Sequence, residues 1–312
     1  MTAGPDAVAD RLGALPPLRA RLEALGLLAD KRLGQHFLFD LNLCRKIVRL
    51  AGDIDGATVL EIGPGPGGLT QALVEAGARV IAIEKDSRFL PALDQIAALC
   101  DGALSVIEAD ALKIDEVALI ADLGSGAAIH IVANLPYNVG TALLLKWLLG
   151  PLRPASMTLM FQKEVADRIV APTGSADYGR LSVIAQTLCE ARTVMDVPAR
   201  AFTPPPKVDS AVVRLVPRAH RPVEPLLDAL QKVTQAAFGQ RRKMLRSSLA
   251  KVGGEGLCLA AGVDPSARAE TISPEGFLAL AEKRVQPQSG RDALASSDSR
   301  PTRRSRPSRD AG

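Results

Sequence analysis

From Thr58 onward the sequence alternates short apolar runs with longer helical stretches, and this alternation restricts the fold more than any other feature. Apolar runs of about six residues are separated by helical patterns of about 10–15 residues, which is the spacing of βαβ crossover units. Strands joined by such crossovers are parallel, and their sheet is buried on both faces. The sequence therefore predicts an α/β protein with a doubly wound sheet, whose first strands cover residues 58–63, 79–84, 104–109, 127–136 and 156–161.

Two further apolar runs, at residues 193–198 and 209–216, are joined by the proline-rich segment AFTPPPK at 201–207. This connection is too short for a helical crossover, so the two strands are expected to pair antiparallel at one edge of the sheet. After Arg218 the patterns are helical without strands, which predicts a small all-helical domain with helices at 223–238, 241–251 and 275–285.

The predicted organisation has four parts: an N-terminal extension with a helix at 1–30, an α/β domain at 31–218, a helical domain at 219–285 and a tail at 286–312. The tail has six arginines against three aspartates, so +3 of the net charge of +4 lies there. Because it has almost no apolar residues to bury, the tail is predicted to be disordered.

The remaining composition indicates a globular protein of a reducing compartment. The four cysteines form no CxxC pair, which argues against a zinc site and against a disulfide framework. No apolar run approaches the roughly 18 residues of a membrane span. We therefore expect a cytoplasmic protein that has no membrane partner and acts as a monomer.

Glycines are concentrated directly after the first predicted strand, in the sequence EIGPGPGG at residues 61–68. Gly63 and Gly65, with either of the two glycines that follow, fit both GxGxxG and GxGxG, so the spacing is compatible with a dinucleotide and with S-adenosylmethionine. The two prolines between the glycines lack the N–H groups that would bind a pyrophosphate. The motif therefore favours S-adenosylmethionine, although a tight strand-to-helix turn without a ligand would also use these glycines.

Acidic residues end the next two strands. Glu84 closes the second strand, 21 residues after Gly63, where a carboxylate can accept both hydroxyl groups of a ribose. Asp110 follows the third strand and can accept from an adenine amino group. Each carboxylate alone would also fit a solvated strand end. Three consecutive strand ends with these features favour a nucleoside-binding crevice.

The sequence Asn134-Leu135-Pro136-Tyr137 lies at the end of the fourth predicted strand and indicates chemistry at an amino group. The exocyclic nitrogen of adenine is a weak nucleophile because its lone pair is delocalised into the ring. Catalysis therefore needs acceptors that hold its N–H groups, and the Asn134 oxygen with a carbonyl at Leu135 or Pro136 can supply them. Tyr137 can stack on a base taken out of its helix. A capped turn with an Asx-type hydrogen bond is the alternative without a ligand.

Several motifs together resemble the ribosomal RNA adenine N6-dimethyltransferase family, over a span from about Pro16 to Ala281. They are GQHFL at 34–38, EIGPGPGGLT at 61–70, NLPYN at 134–138, FQKEVADRI at 161–169, YGRLSV at 178–183, FTPPPKVDSAVVRL at 202–215, GQRRKML at 239–245 and RAETIS at 268–273.

The resemblance implies a class I, Rossmann-like methyltransferase that uses S-adenosylmethionine and no metal. Within the family, the motifs are most similar to the branch that dimethylates two adjacent adenosines in the 3′-terminal hairpin loop of 16S rRNA, in the 30S ribosomal subunit or its precursor. The residues at which the resemblance places the methyl donor are His36, Leu38, Gly63, Glu84, Asp110 and Asn134. The residues at which it places the target adenine are Asn134, Pro136, Tyr137 and Phe202, with Phe202 on the second face of the base.

Basic residues open the predicted helix at 241–251, and the resemblance makes Arg241, Arg242, Lys243 and Arg246 candidates for contact with RNA phosphates. Helical spacing would place Arg242, Lys243 and Arg246 outward, opposite a buried face formed by Met244, Leu245 and Leu249. A solvated helix face without RNA is the alternative.

Three other functions are compatible with parts of the sequence. A 23S rRNA adenine methyltransferase of the macrolide-resistance type would share the core motifs, and a non-catalytic assembly or transcription factor could use the same fold. An NAD-dependent dehydrogenase would account only for the glycine-rich loop and Glu84.

Overall fold

The structure is a computed structural model that describes residues 5–27, 36–122 and 128–286. The strands in these ranges are β1 Phe37–Leu38, β2 Thr58–Ile62, β3 Arg79–Glu84, β4 Leu104–Glu108, β5 Ile129–Asn134, β6 Ser156–Gln162, β7 Cys189–Val197, β8 Phe202–Thr203 and β9 Ser210–Pro217. The α-helices are α1 Pro5–Gly13, α2 Leu18–Ala24, α3 Leu41–Leu50, α4 Gly68–Glu75, α5 Leu90–Ala97, α6 Glu116–Asp122, α7 Gly140–Leu149, α8 Lys163–Val170, α9 Arg180–Leu188, α10 Glu224–Gly239, α11 Leu245–Ser248, α12 Gly254–Ala260 and α13 Pro274–Val285.

Seven strands form one sheet in the order β4-β3-β2-β5-β6-β9-β7. The strands from β2 to β6 are parallel, whereas β9 is antiparallel to both β6 and β7. The predicted α/β class and the antiparallel pairing at one edge are therefore confirmed. The chain continues from β2 to β3 on one side and returns to β5 on the other, so a topological switch point lies between β2 and β5, where α/β sheets bind ligands at their carboxyl edge.

Both faces of the sheet are buried, as the apolar strands predict. Successive residues of one strand point to opposite faces, so Leu60 and Ile131 belong to one core while Val59 and Val132 belong to the other. All four side chains are fully buried. The two cores hold the parallel strands in register and thereby bring their carboxyl ends to one edge.

The C-terminal helices agree with the prediction in two places and contradict it in one. Helices α10 and α13 correspond to the predicted helices, but the single helix predicted at 241–251 is wrong. Met244 is extended (φ −62°, ψ 152°) and bridges to Arg268, so the chain turns before α11 and forms only a short helix there. Leu245 and Leu249 are buried as expected, whereas Met244 is 42% exposed and does not anchor the segment.

The division of the chain after residue 218 stays a prediction. The core that surrounds α10 and α13 also contains Tyr178 and Val183, which precede this boundary. The Tyr178 hydroxyl donates to the Ile272 carbonyl oxygen at 2.8 Å, which ties α9 and its preceding loop to the C-terminal helices.

The N-terminal segment has two helices where one was predicted. Leu18 and Leu22 are buried in α2, and the additional helix α1 places Val8 and Leu12 in the core beside α4. The predicted tail lies outside the described residues apart from Gln286, and so do Gly34 and Gln35 of the GQHFL motif. In the part of the chain that is described, no helix combines the length and the apolar character needed to cross a membrane.

Candidate active site

A cavity of about 510 Å³ opens at the carboxyl edge of the sheet, beside the switch point between β2 and β5. The loops that follow β2, β3, β4 and β5 line it together with β1. The structure therefore brings together nine of the ten site residues predicted outside the basic segment, namely His36, Leu38, Gly63, Gly65, Glu84, Asp110, Asn134, Pro136 and Tyr137.

The glycine-rich loop can approach this cavity closely because its backbone adopts left-handed conformations. Gly65 has φ +53°, and a Cβ atom there would meet the Phe37 ring at 3.1 Å. Gly67 has φ +87° at the start of α4, and a Cβ atom there would meet Ile96 Cδ1 at 2.4 Å. A side chain at either position would add backbone strain to these close contacts.

Glu84 ends β3 and fastens the glycine-rich loop to it. Its Oε2 accepts from the Gly65 N–H at 2.9 Å and its Oε1 accepts from the Asp86 N–H at 2.7 Å. Burial raises the pKa of this carboxyl above its usual value, while the two backbone hydrogen bonds oppose the shift. Each oxygen retains a second lone pair that can accept from a ligand hydroxyl.

Asp110 lies at the next strand end, in a loop that α7 holds in place. The Lys85 ammonium donates to Asp110 Oδ2 at 3.0 Å and lowers the pKa of this carboxyl. Lys146 of α7 donates to the Ala111 and Ile114 carbonyl oxygens at 2.7 and 2.6 Å. It also forms a 2.8 Å ion pair with Glu116. Lys146 is a single charge within an apolar helix, and its contacts anchor the loop that carries Asp110.

Asn134 is the last residue of β5, and its orientation decides which acceptor it offers. Its Nδ2 donates to the His36 carbonyl oxygen at 3.4 Å, which leaves Oδ1 as the atom that can accept from a ligand. The Pro136 carbonyl already accepts from the N–H groups of Val139 and Gly140, at 3.1 and 3.0 Å. Of the two carbonyls considered from the sequence, Leu135 is therefore the better second acceptor, since both lone pairs of the Pro136 oxygen are used.

Two aromatic rings meet at the same end of the cavity. The rings of His36 and Tyr137 are stacked, with centroids 5.4 Å apart and an interplanar angle of 28°. His36 Nδ1 donates to the Pro204 carbonyl oxygen at 2.8 Å, and the hydroxyls of Tyr137 and Ser210 share a hydrogen bond of 2.8 Å. Burial raises the pKa of the Tyr137 phenol, so the ring carries no charge near neutral pH.

Phe202 is the predicted site residue that the structure does not bring into the cavity. It pairs with Leu38 in the ladder between β1 and β8, and its side chain is 2% exposed. The ring belongs to the core that contains Val197 and Val212. Phe202 therefore does not line the cavity, and its placement against the target base stays a prediction.

Glu61 also lines the cavity, although the sequence reasoning gave it no role. It is 1% exposed, and its Oε2 has no hydrogen-bond partner among the described residues. Burial raises the pKa of this carboxyl to about 8. The available signal was its position as the first residue of EIGPGPGG, at the end of a buried strand where a lone carboxylate needs a ligand or a partner.

The basic segment has a different geometry from the helical face that was predicted. Arg241 pairs with Glu270 at 2.8 Å and donates to the Ala176 carbonyl oxygen at 2.8 Å, so its guanidinium serves an internal contact. Arg242, Lys243 and Arg246 are exposed, and within the described chain no carboxylate lies within 4 Å of them. The prediction that Arg242, Lys243 and Arg246 lie on the outer face of one helix is wrong, because residues 241 and 242 form a turn and residue 243 a bend before α11 begins.

The chain is similar to known proteins over most of its length. Residues 26–285 match the family described as ribosomal RNA adenine dimethylase. A protein of Phenylobacterium zucineum named ribosomal RNA small subunit methyltransferase A is 65% identical over 87% of this chain and 93% of its own length. A protein of the same name from Caulobacter vibrioides is 65% identical over 81% of this chain and 96% of its own length.

Two crystal structures show the same fold. A dimethyladenosine transferase from Plasmodium falciparum is 26% identical, with a TM-score of 0.64 over 78% of this chain and 96% of that one. The 23S rRNA methyltransferase ErmE is 28% identical, with a TM-score of 0.60 over 80% of this chain and all of that one. On the family match and the 65% identity to the two bacterial proteins, the chain belongs to the ribosomal RNA adenine dimethylase family.

Proposed function

We propose that this protein transfers methyl groups from S-adenosylmethionine to N6 of two adjacent adenosines in the 3′-terminal hairpin loop of 16S rRNA, two to each adenosine. One observation carries the proposal: a single cavity is lined both by the acidic loop ends at Glu84 and Asp110 and by the segment from Asn134 to Tyr137. The first group suits a nucleoside-bearing methyl donor, and the second suits an adenine amine.

The residues present fit S-adenosylmethionine as the donor. When bound, it supplies a methyl group that its sulfonium has already activated. Glu61 offers a buried carboxylate oxygen without a partner to a cationic ligand, which offsets the cost of burying either charge alone. Glu84 can accept the ribose hydroxyls with its remaining lone pairs, and Asp110 can accept from the adenine amino group on a loop that Lys146 holds.

The target amine is assigned to Asn134 and Leu135. The Asn134 Oδ1 and the Leu135 carbonyl accept the two N–H groups and favour a pyramidal nitrogen directed at the methyl carbon. These hydrogen bonds strengthen as the nitrogen becomes positive, so they stabilise the transition state more than the ground state. Tyr137 has His36 on one face and can offer its other face to the base. The base contact is assigned to Tyr137 because its ring lines the cavity, whereas Phe202 does not.

The proposed substrate is the rRNA of a 30S subunit or its precursor in the cytoplasm. The two 65% identical relatives are named for the small ribosomal subunit, which favours this substrate over the 23S rRNA of the 28% identical ErmE. A monomer suffices because one chain supplies every residue assigned to the site. The complete amine-binding segment argues against a purely non-catalytic factor, and the prolines of the glycine-rich loop argue against a dinucleotide enzyme.

Tritiated methyl transfer to 30S particles that lack these methyl groups tests the proposal, followed by mapping of the modified nucleotides. We expect two methyl groups on each of two adjacent adenosines of the 3′-terminal hairpin loop. Methylation of 23S rRNA would favour the macrolide-resistance alternative instead. Binding to 30S particles without any transfer would favour the assembly factor.

Replacing Glu84 with alanine is expected to weaken S-adenosylmethionine binding by roughly 1.5–3 kcal/mol, the range for losing hydrogen bonds to a charged group. Calorimetric titration measures the change. Glu108 is the register partner of Glu84 on β4 and is exposed, so Glu108→Ala is the matched control. Affinity for 30S particles should be unaffected by either change. An unaltered donor affinity in Glu84→Ala would remove this carboxylate from the donor site.

Reversing Arg242, Lys243 and Arg246 to glutamate is expected to raise the KM for 30S particles. It should also reduce the slope of log affinity against log salt concentration, by the equivalent of up to about three phosphate contacts. The measurement is 30S affinity against log salt concentration. A double reversal at Arg79 and Arg192, exposed near the amino ends of their strands, controls for a loss of positive charge elsewhere on the surface and should retain the wild-type slope. Parallel lines for the triple variant and the wild type would mean that the three cations are only solvated.

A further inference from the structure

Ser210 is a buried serine whose hydroxyl bonds to the hydroxyl of Tyr137, the proposed base-binding residue. It begins β9, has no exposed surface, and its Oγ lies 2.8 Å from the Tyr137 hydroxyl oxygen. The residue does not line the cavity, whereas Tyr137 does. Any influence of Ser210 on a bound base therefore has to act through the orientation of the tyrosine ring.

The ring of Tyr137 is defined at two points. His36 stacks on its face, and Ser210 holds the hydroxyl at its far end. A tyrosine side chain turns about two torsions, so stacking alone would still allow the ring to slide and tilt within its plane of contact. The hydrogen bond to a buried hydroxyl limits this freedom, because breaking it would leave the buried Ser210 hydroxyl without a partner.

Ser210 is itself held firmly. Its backbone lies between β6 and β7, in register with Gln162 and Val197. The preceding residue, Asp209, accepts from the Ala199 N–H through Oδ1 at 2.8 Å and from the Lys163 N–H through its carbonyl oxygen at 2.9 Å. The seven-stranded sheet thus sets the position of the Ser210 hydroxyl.

The same loop holds the partner ring. His36 donates to the carbonyl of Pro204, six residues before Ser210. One segment, residues 204–210, therefore fixes both members of the stacked pair, one through a main-chain carbonyl and the other through a serine hydroxyl.

We propose that Ser210 is a positioning residue, which sets the ring of Tyr137 at the angle needed to stack on the target adenine. The inference rests on the proposed function, because it assumes that Tyr137 contacts the base. A small displacement of reacting groups is enough to lower a rate strongly when catalysis depends on alignment. Ser210 therefore contributes to the rate of methyl transfer without touching substrate or donor.

The test is a double-mutant cycle with Ser210→Ala, Tyr137→Phe and the double variant, measured as single-turnover methylation of 30S particles. Each single variant is expected to transfer methyl groups about 10-fold more slowly than the wild type, within the range observed for misplaced groups. The double variant should be no slower than the single variants, because each change removes the same hydrogen bond. Donor affinity should stay within about twofold of the wild type, since Ser210 lies outside the cavity lining.

Ser156→Ala is the matched control. Ser156 is also a buried strand serine, and its Oγ lies 2.8 Å from an aromatic-ring nitrogen, Nδ1 of His130. It is the first residue of β6 and so lies at the amino edge of the parallel strands, whereas the cavity lies at their carboxyl edge. The variant therefore loses a similar hydrogen bond away from the cavity. Its transfer rate is expected to equal that of the wild type, and comparable melting temperatures would exclude a general loss of stability.

A spectroscopic measurement separates positioning from activity. The chain has two tyrosines, Tyr137 and Tyr178, so fluorotyrosine labelling gives two ¹⁹F resonances. Ser210→Ala is expected to move one resonance in the protein without ligands and to leave the Tyr178 resonance in place, whereas Ser156→Ala should move neither.

Three outcomes would overturn the inference: a wild-type rate in Ser210→Ala, additive losses in the double variant, or an unmoved Tyr137 resonance. A wild-type protein that methylates no 30S particle would instead refute the proposed function, and the resonance shift would still report the contact between Ser210 and Tyr137.

Discussion

Replacing Asn134 with alanine is expected to slow single-turnover methyl transfer about 100-fold or more, which is the effect of removing one preorganised polar partner from a reacting centre. The Asn134 Nδ2 donates to the His36 carbonyl, so Oδ1 is the atom that can accept from a ligand. This oxygen matters most when the adenine nitrogen becomes pyramidal and positive, so the loss should appear in the chemical step.

The measurement uses saturating donor and 30S particles, with particle affinity determined separately. Affinity for 30S particles should change little, because the exposed basic residues lie elsewhere on the chain. Asn42→Ala, at an exposed asparagine of α3, is the control for a general effect of losing an amide. A single-turnover rate near that of the wild type in Asn134→Ala would refute the assignment of the amine site.

Replacing Glu61 with glutamine is expected to change how the stability of the ligand-free protein depends on pH. The pKa of this buried carboxyl is raised to about 8 from a model-compound value of 4.5. Between these values the folded protein retains a proton that the unfolded chain releases, so rising pH favours unfolding. The wild type should lose about 1.4 kcal/mol per pH unit from this group, and several kcal/mol in total above pH 8.

Glu61→Gln should lack this loss. Urea unfolding from pH 5 to pH 9 measures the difference between the two free energies of unfolding, which is expected to grow in favour of the variant as pH rises. Glu108→Gln removes a glutamate from an exposed position and is the control. A constant difference across this pH range would show that the folded protein does not hold a proton on Glu61 that the unfolded chain releases.

The same carboxyl is also expected to make the affinity for S-adenosylmethionine depend on pH. A cationic ligand pairs with the ionised form, so S-adenosylmethionine affinity should rise from pH 6 to pH 9 in the wild type and stay flatter in Glu61→Gln. The two measurements share one physical origin, which is that the fold buries Glu61 without a partner for Oε2.

Much of the fold and part of the site follow from local sequence. Apolar runs of strand length alternate with helical stretches, and only a parallel sheet with covered faces buries such strands. Gly63, Glu84 and Asn134 were recognised because each lies at the end of such a strand, and the ends of parallel strands meet at one edge. These inferences depend on residues close in sequence and on a periodic pattern, so they do not require knowledge of tertiary packing.

The structure differs from the local sequence patterns where segments distant in sequence contact each other. Helical spacing around Arg242 and Leu245 predicted one long helix, but Met244 pairs with Arg268 and interrupts it. The base contact of Phe202 stays a prediction, but the burial of its ring beside the ladder between β8 and β1 is not visible in the sequence. In each case a contact between residues more than 20 positions apart in the sequence outweighed the local preference.

The sequence by itself determined the α/β class, the antiparallel edge and the strand ends at which ligand-binding groups collect, because hydrophobic periodicity and turn chemistry are local properties. Only the tertiary structure decided which groups are already satisfied. It engages the Asn134 Nδ2 with the His36 carbonyl, it encloses Glu61 Oε2 without a partner, and it places the Ser210 hydroxyl against that of Tyr137. Hydrogen-bond occupancy and burial depend on which distant segments share a volume, and that is set when the sheet and its loops pack together.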